Sequence, residues 1–304
     1  MSFPSIAAPF PVGHTPLLPL RRLDPGLPGE VSLWAKAEWY NPSGSVKDRP
    51  AWSILSTART AGELDGGRVL LDATSGNMGI AYATFAAALG LPLRLVMPAN
   101  ASPERITILR ALGADLVLSS ALEGSDGAIH EARAIHAADP GRYFYADQYN
   151  NPANERAHFE STGPEIWNDT RGRITHFVAG LGTSGTMMGA GEFLRQRNPV
   201  IRLVAVQPDE ALHGLEGLKH LDTAIVPGIY DPRGHDETRR VSTEAAQAMV
   251  LRLSREEGLF VGVSAGAAAV AALDVARDIK SGMVVAIFPD AGHKYISEKF
   301  WRAA

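Results

Sequence analysis

A chain of 304 residues, 45% of them hydrophobic, is long enough for two domains that each bury a core. Its 29 Lys and Arg against 33 Asp and Glu leave a formal charge of -4, without the basic excess that phosphate-backbone binding needs, which argues against nucleic acid as a partner. With no cysteine there is no disulfide and no Cys-ligated zinc, haem or iron–sulfur centre, and the nine histidines show no HExxH or comparable spacing, so no metal site is expected.

The N-terminus, MSFPSIAAPFPVGHTP, lacks a basic region, and prolines break it before an apolar run reaches signal-peptide length. A cytoplasmic protein is expected, with no membrane partner, since AYATFAAALG is too short to span a bilayer. Next comes NPSGSVKDR, residues 41–49, a turn shaped by Asn41, Pro42 and Gly44, with Ser43 or Ser45 able to cap the helix that follows. It delivers Lys47, in a chain where lysine is scarce, into a helix start. A surface lysine is the ordinary alternative. Directed inward, however, the amine loses hydration, its pKa falls, and it can form a Schiff base with an aldehyde.

RVLLDA (68–73) reads as a strand, TSGNMG (74–79) as a loop, IAYATFAAALG as a helix and LRLVMPA (93–99) as a second buried strand, together a βαβ unit. In SPERITILRALG, Ser102 can cap, Pro103 suits the first helical position, Glu104 favours the positive end of the dipole and Gly113 closes the helix; the strand DLVLSS follows. After YFYADQYNNPAN the alternation restarts with THFVAG as strand, LGTSGT as loop, MMGAGEFLRQR as helix and IRLVAVQP as strand. A helix near 243–257 and a last strand, MVVAIFP, complete it. The predicted fold class is therefore α/β, with two open twisted sheets. The stretch 208–240, rich in Pro, Gly and Asp, has little periodicity and is taken as a long, functional excursion.

Two of these loops can hold anions. GLGTSGT (180–186) contains a GxGxxG between strand and helix, the pattern of a dinucleotide fold, but the next strand ends in Gln207 and Pro208 where an acidic ribose ligand is required. What remains is a glycine turn with hydroxyl donors at a helix N-terminus, suited to a phosphate; a tight turn without ligand has the same pattern. TSGNMG offers hydroxyl, amide and backbone N–H groups that could grip a carboxylate, or simply start a helix. A phosphate loop, a carboxylate loop and a positioned lysine together suggest pyridoxal 5'-phosphate, which bears both a phosphate and an aldehyde.

From GHTPLLPL to DAGHKYIS the chain resembles the cysteine synthases, B-type isozyme, of the tryptophan-synthase-β-like (fold type II) pyridoxal phosphate family. NPSGSVKDR is similar to their Schiff-base lysine motif, TSGNMG to the substrate loop, DQYNNPAN to the carboxylate-binding glutamine segment, GLGTSGT to the phosphate loop and GVSAG to the pyridine-nitrogen motif. The resemblance implies a large unit of residues 1–38 and 147–304, and a small mobile unit, 39–146, that closes over the cofactor. It implies β-replacement on O-acetylserine or O-phosphoserine, through an α-aminoacrylate, giving cysteine with sulfide or S-sulfocysteine with thiosulfate. Lys47 would be catalytic and hold the cofactor, with Asn77, Gly182, Thr183, Ser184, Gly185, Thr186 and Ser264 also binding it. Thr74, Ser75, Gly76, Asn77, Met78 and Gln148 would hold the substrate. Lys219, in GLEGLKHL, would meet an anionic sulfur donor, or be a solvated loop lysine. A homodimer is implied, and a stable complex with serine acetyltransferase is not expected of the B type. A related β-replacement or elimination enzyme, such as a cystathionine synthase or a serine/threonine dehydratase, a dinucleotide oxidoreductase and a non-catalytic binding module are the rival readings. Met78 stands where the family carries threonine, and His14 where asparagine is commoner.

Overall fold

In the computed structural model, which describes residues 7–74 and 76–303, ten strands form two sheets. The elements in chain order are β1 (Leu17–Leu20), β2 (Val31–Ala37), α1 (Asp48–Thr60), β3 (Val69–Ala73), α2 (Asn77–Leu89), β4 (Leu93–Pro98), α3 (Pro103–Ala111), β5 (Asp115–Ser119), α4 (Gly124–Ala138) and β6 (Tyr143–Tyr145). There follow α5 (Pro152–Ala157), α6 (Gly163–Asp169), β7 (His176–Gly180), α7 (Gly185–Arg197), β8 (Arg202–Pro208), β9 (Glu237–Val241), α8 (Thr243–Arg252), α9 (Val263–Asp278) and β10 (Gly282–Phe288). The six-stranded sheet has the order β1-β2-β10-β7-β8-β9 and the four-stranded sheet β5-β4-β3-β6. Every pairing is parallel except β1 with β2.

Parallel strands covered on both faces read as unbroken apolar runs, and β10 (GMVVAIF) and β4 (LRLVMP) are buried along nearly their whole length. Helix α3 starts as the sequence predicts: the Ser102 side chain accepts from the Arg105 N–H, Pro103 is the first helical residue, and Gly113 follows the helix at φ 83°. Other elements escape the periodicity. Helix α9 buries alanines on almost every side, so it has no polar stripe to mark it. Its Gly266 lets α8 approach so closely that a Cβ would lie 2.3 Å from the Ala246 carbonyl oxygen. Strand β9, ETRRV, ends the long excursion and carries charge because it is a sheet edge. Among the described residues, no helix is long and apolar enough to cross a membrane.

Candidate active site

Both sheets reverse their winding beside one cleft. From β7 the chain moves outward to β8 and β9, then β10 returns on the other flank of β7; from β3 it moves to β4 and β5, then β6 returns on the other flank of β3. Such switch points leave a crevice beyond the carboxyl ends of the strands. Here the loops after β3, β6, β7 and β10 converge on a cleft of about 920 Å³, open to solvent. Its wall includes Lys47, Thr74, Gly76, Asn77, Met78, Gln148, Gly182, Thr183, Ser184, Thr186, Lys219 and Ser264. Of the residues expected from the sequence, Gly185 lies just behind this wall in the first turn of α7, and Ser75 lies outside the described residues.

Lys47 is itself the residue preceding α1, and neither neighbouring serine caps the helix as the sequence predicts. Instead Asp48 turns back to accept from the Ser43 N–H and hydroxyl at 2.8 and 2.6 Å, while Ser45 Oγ accepts from the Lys47 N–H at 3.3 Å. A carboxylate in the first turn can satisfy a backbone donor of the preceding loop, and it leaves the serines as partners. Burial lowers the Lys47 pKa from 10.5 to about 8, against the opposing pull of Asp290 and Glu38. Behind it Arg49 is buried between Glu38 and Glu165, with contacts of 2.7 Å to each, and this network fixes the first turn of α1.

On the loop after β3, Thr74 Oγ1 accepts from the N–H groups of Gly76 and Gly79 at 3.1 and 3.0 Å, leaving its own proton for another acceptor. Asn77 is held at both ends of its amide, donating to Asp290 at 2.8 Å and accepting from Lys294 Nζ at 2.9 Å. Gln148 Nε2 donates to the Ala73 carbonyl at 2.6 Å, which ties the loop after β6 to the end of β3. Met78 is 2% exposed, its side chain shared between the core around α2 and the cleft wall.

The glycine loop follows β7. A Cβ on Gly182 would lie 2.2 Å from the Gly217 carbonyl oxygen, and one on Gly185 would lie 2.1 Å from Asn154 Oδ1, so only glycine fits either position. Ser184 adopts φ 69°, and its buried hydroxyl oxygen has no hydrogen-bond partner among the described residues. Thr183 accepts from Asn154 at 3.0 Å. An unpartnered buried hydroxyl beside the N-terminus of a 13-residue helix fits an anion such as a phosphate. Ser264, also on the cleft wall, lies in the first turn of α9.

Lys219 is 5% exposed; its ammonium pairs with Asp126 at 2.6 Å and lies 5.0 Å from the centre of the Tyr149 ring. Sequence reasoning singled out neither Asp126 nor the other polar groups around the site, among them Asp290, Lys294, Arg105 and His158. Asp290 follows the central strand β10, and a carboxylate at the carboxyl end of such a strand was the signal that could have found it. His14, in the N-terminal turn, holds φ 51° and donates its backbone N–H to Glu165 at 2.9 Å.

A sequence model of the family described as pyridoxal-phosphate dependent enzyme matches residues 9–290. A curated relative named cysteine synthase, from Aquifex aeolicus (strain VF5), is 50% identical over 94% of this chain and 89% of its own. Cysteine synthase B of Salmonella typhimurium is 43% identical over 94% and 93%. A crystal structure of cysteine synthase (OASS) from Entamoeba histolytica superposes with a TM-score of 0.90 at 33% identity, covering 99% of this chain and 94% of that one.

Proposed function

Because the chain belongs to the pyridoxal-phosphate dependent enzyme family, we propose that it is a B-type cysteine synthase, forming cysteine by β-replacement on an O-activated serine. The observation that carries this reading is an amine whose pKa falls to about 8, on the wall of a cleft that also holds a glycine–hydroxyl anion cradle. Pyridoxal phosphate, when bound, supplies an aldehyde that takes the substrate amine and a conjugated ring that accommodates the electron pair left at Cα. Lys47 holds the cofactor in the resting enzyme, then removes the Cα proton as a neutral amine and later returns it. Acetate or phosphate leaves Cβ, and the sulfur nucleophile adds there.

Gly182, Thr183, Ser184, Gly185 and Thr186 bind the phosphate, while Asn77 serves both cofactor and substrate. The substrate carboxylate is held by the Thr74 hydroxyl, the loop through Ser75, Gly76 and Met78, and Gln148. Ser264, on the cleft wall, would serve the pyridine nitrogen when the cofactor is bound; a neutral hydroxyl would not force that nitrogen to stay protonated as an aspartate would, which would favour elimination over transamination. Lys219 meets an anionic donor, thiosulfate as well as sulfide, and works against its own pairing with Asp126. Residues 1–38 with 147–304 act as the large unit and 39–146 as a smaller mobile one. That division is supported by the four-stranded sheet being drawn wholly from residues 69–145. The enzyme works as a cytoplasmic homodimer and forms no stable complex with serine acetyltransferase.

Borohydride reduction of the purified protein, followed by peptide mass spectrometry, tests the reading. The cofactor should be fixed on the peptide containing Lys47, and acetylserine or phosphoserine with sulfide should yield cysteine. Cofactor fixed on another lysine, or on none, would overturn the site. Turnover with homocysteine instead of sulfide would move the chain to the cystathionine-forming branch.

A further inference from the structure

A buried imidazole lies directly behind the anion cradle. His158 opens a π-helical turn, His158–Thr162, in which the Gly163 N–H reaches back five residues to the His158 carbonyl. Such turns occur mostly as single bulges inside α-helices, frequently at functional sites. Here the turn brings Thr162 Oγ1 to 2.9 Å from His158 Nδ1, and on the other side of the ring Nε2 lies 3.3 Å from Thr186 Oγ1. The ring reaches Thr186 because Gly189 lets α7 pack against α5 and this turn: a Cβ there would lie 2.1 Å from the Glu155 carbonyl oxygen and 2.8 Å from the Phe159 backbone nitrogen. His158 and Thr162 are sealed from solvent, whereas Thr186 lines the cleft.

Burial keeps the ring neutral, and the nearby positive charges of Arg49 and Lys47 reinforce the effect. One ring nitrogen therefore donates and the other accepts, and only two arrangements satisfy both contacts. If Nδ1 carries the proton, it donates to Thr162, Thr186 must donate to Nε2, and Thr186 then shows only lone pairs to the cleft. If Nε2 carries it, Thr162 donates to Nδ1, Nε2–H donates to Thr186 Oγ1, and the Thr186 proton is turned outward. An anion in the cleft favours the second arrangement, because it needs a donor.

We propose that His158 is a positioning residue: as the Nε2–H tautomer it aims the Thr186 hydroxyl proton at the cofactor phosphate. This rests on the phosphate-binding role given above to Thr186. The relay moves no net charge; it selects which of two neutral tautomers the bound anion stabilises.

The conservative variants separate this role from mere packing, because a glutamine amide reaches toward the Nε2 position and an asparagine amide only toward Nδ1. In the holoenzyme, His158→Asn should weaken cofactor retention in equilibrium dialysis roughly tenfold or more, the loss of one hydrogen bond to a charged group. His158→Gln should retain most of the affinity. Nitrogen-15 spectra of histidine-labelled wild-type holoenzyme should show Nε2 protonated, a measurement that stands even where a variant fails to fold. Equal losses in the two variants, unchanged affinity in both, or an Nδ1-protonated ring would overturn the proposal while leaving cofactor binding itself intact. A wild-type protein that retains no pyridoxal phosphate would overturn it together with the function on which it rests.

Discussion

At Lys47 the governing effect is desolvation. An ammonium deprived of water loses its proton more readily, and the Asp290 and Glu38 charges recover only part of what burial takes away. Capture of an aldehyde needs the neutral amine, so cofactor uptake by the apoprotein should depend on pH with an inflection near 8. Below it the neutral fraction falls about tenfold per pH unit; above it the rate levels off. Asp290→Asn removes a charge that favours the ammonium, so the inflection should shift downward. Stopped-flow absorbance of uptake measures both, and an inflection near the ordinary 10.5 would mean that the amine stays hydrated. The sequence marked Lys47 because lysine is rare and the turn before it is stiff. It could not mark Asp290, Lys294 or His158, whose partners are more than 25 residues away along the chain in the contacts that matter: Asn77 for the first two and Thr186 for the third.

Elements with a visible start or a uniform interior were legible: β3, β4, β5, β7, β8 and β10 from their apolar runs, and α3 from its serine, proline and closing glycine. Those that meet the rest of the molecule on every side were not, because α9 offers alanine to all its neighbours and β1 and β2 are short of alternation. The glycine loop was legible as a motif, yet the reason for its glycines is tertiary: the neighbours they accommodate, Asn154 and Gly217, belong to other segments. The same holds for Gly189 against the Glu155 carbonyl. Since backbone cannot yield as a side chain does, Gly189→Ala should cost about 1–3 kcal/mol in urea denaturation. Gly29→Ala, with nothing within 4 Å of the added carbon, should stay within about 0.5 kcal/mol of wild type. Equal stability of the two variants would show that α7 can move away from its neighbour.

Across the whole molecule, the excursion after β8 is fastened to the four-stranded sheet's side of the cleft. Glu216 pairs with Arg105, Lys219 with Asp126, and Asp126 also accepts from the Ile225 N–H at 2.8 Å. Asp126→Ala removes two of these ties, so amide hydrogen exchange around Ile225 should quicken by roughly fivefold, the effect of about 1 kcal/mol. Unchanged exchange there would mean that the excursion is held by packing alone. The order of the larger sheet carries a different consequence. Its β10 strand sits between β2 and β7, pairing with residues 31–37 on one side and 176–178 on the other. During synthesis, the four-stranded sheet can assemble while the ribosome is still adding downstream residues, because all its strands precede residue 146. The larger sheet has no centre until residues 282–288 emerge, and the anion cradle after β7 has no neighbour across the switch point until then. Stable cofactor binding should therefore begin only once residues 282–288 have taken their place between β2 and β7.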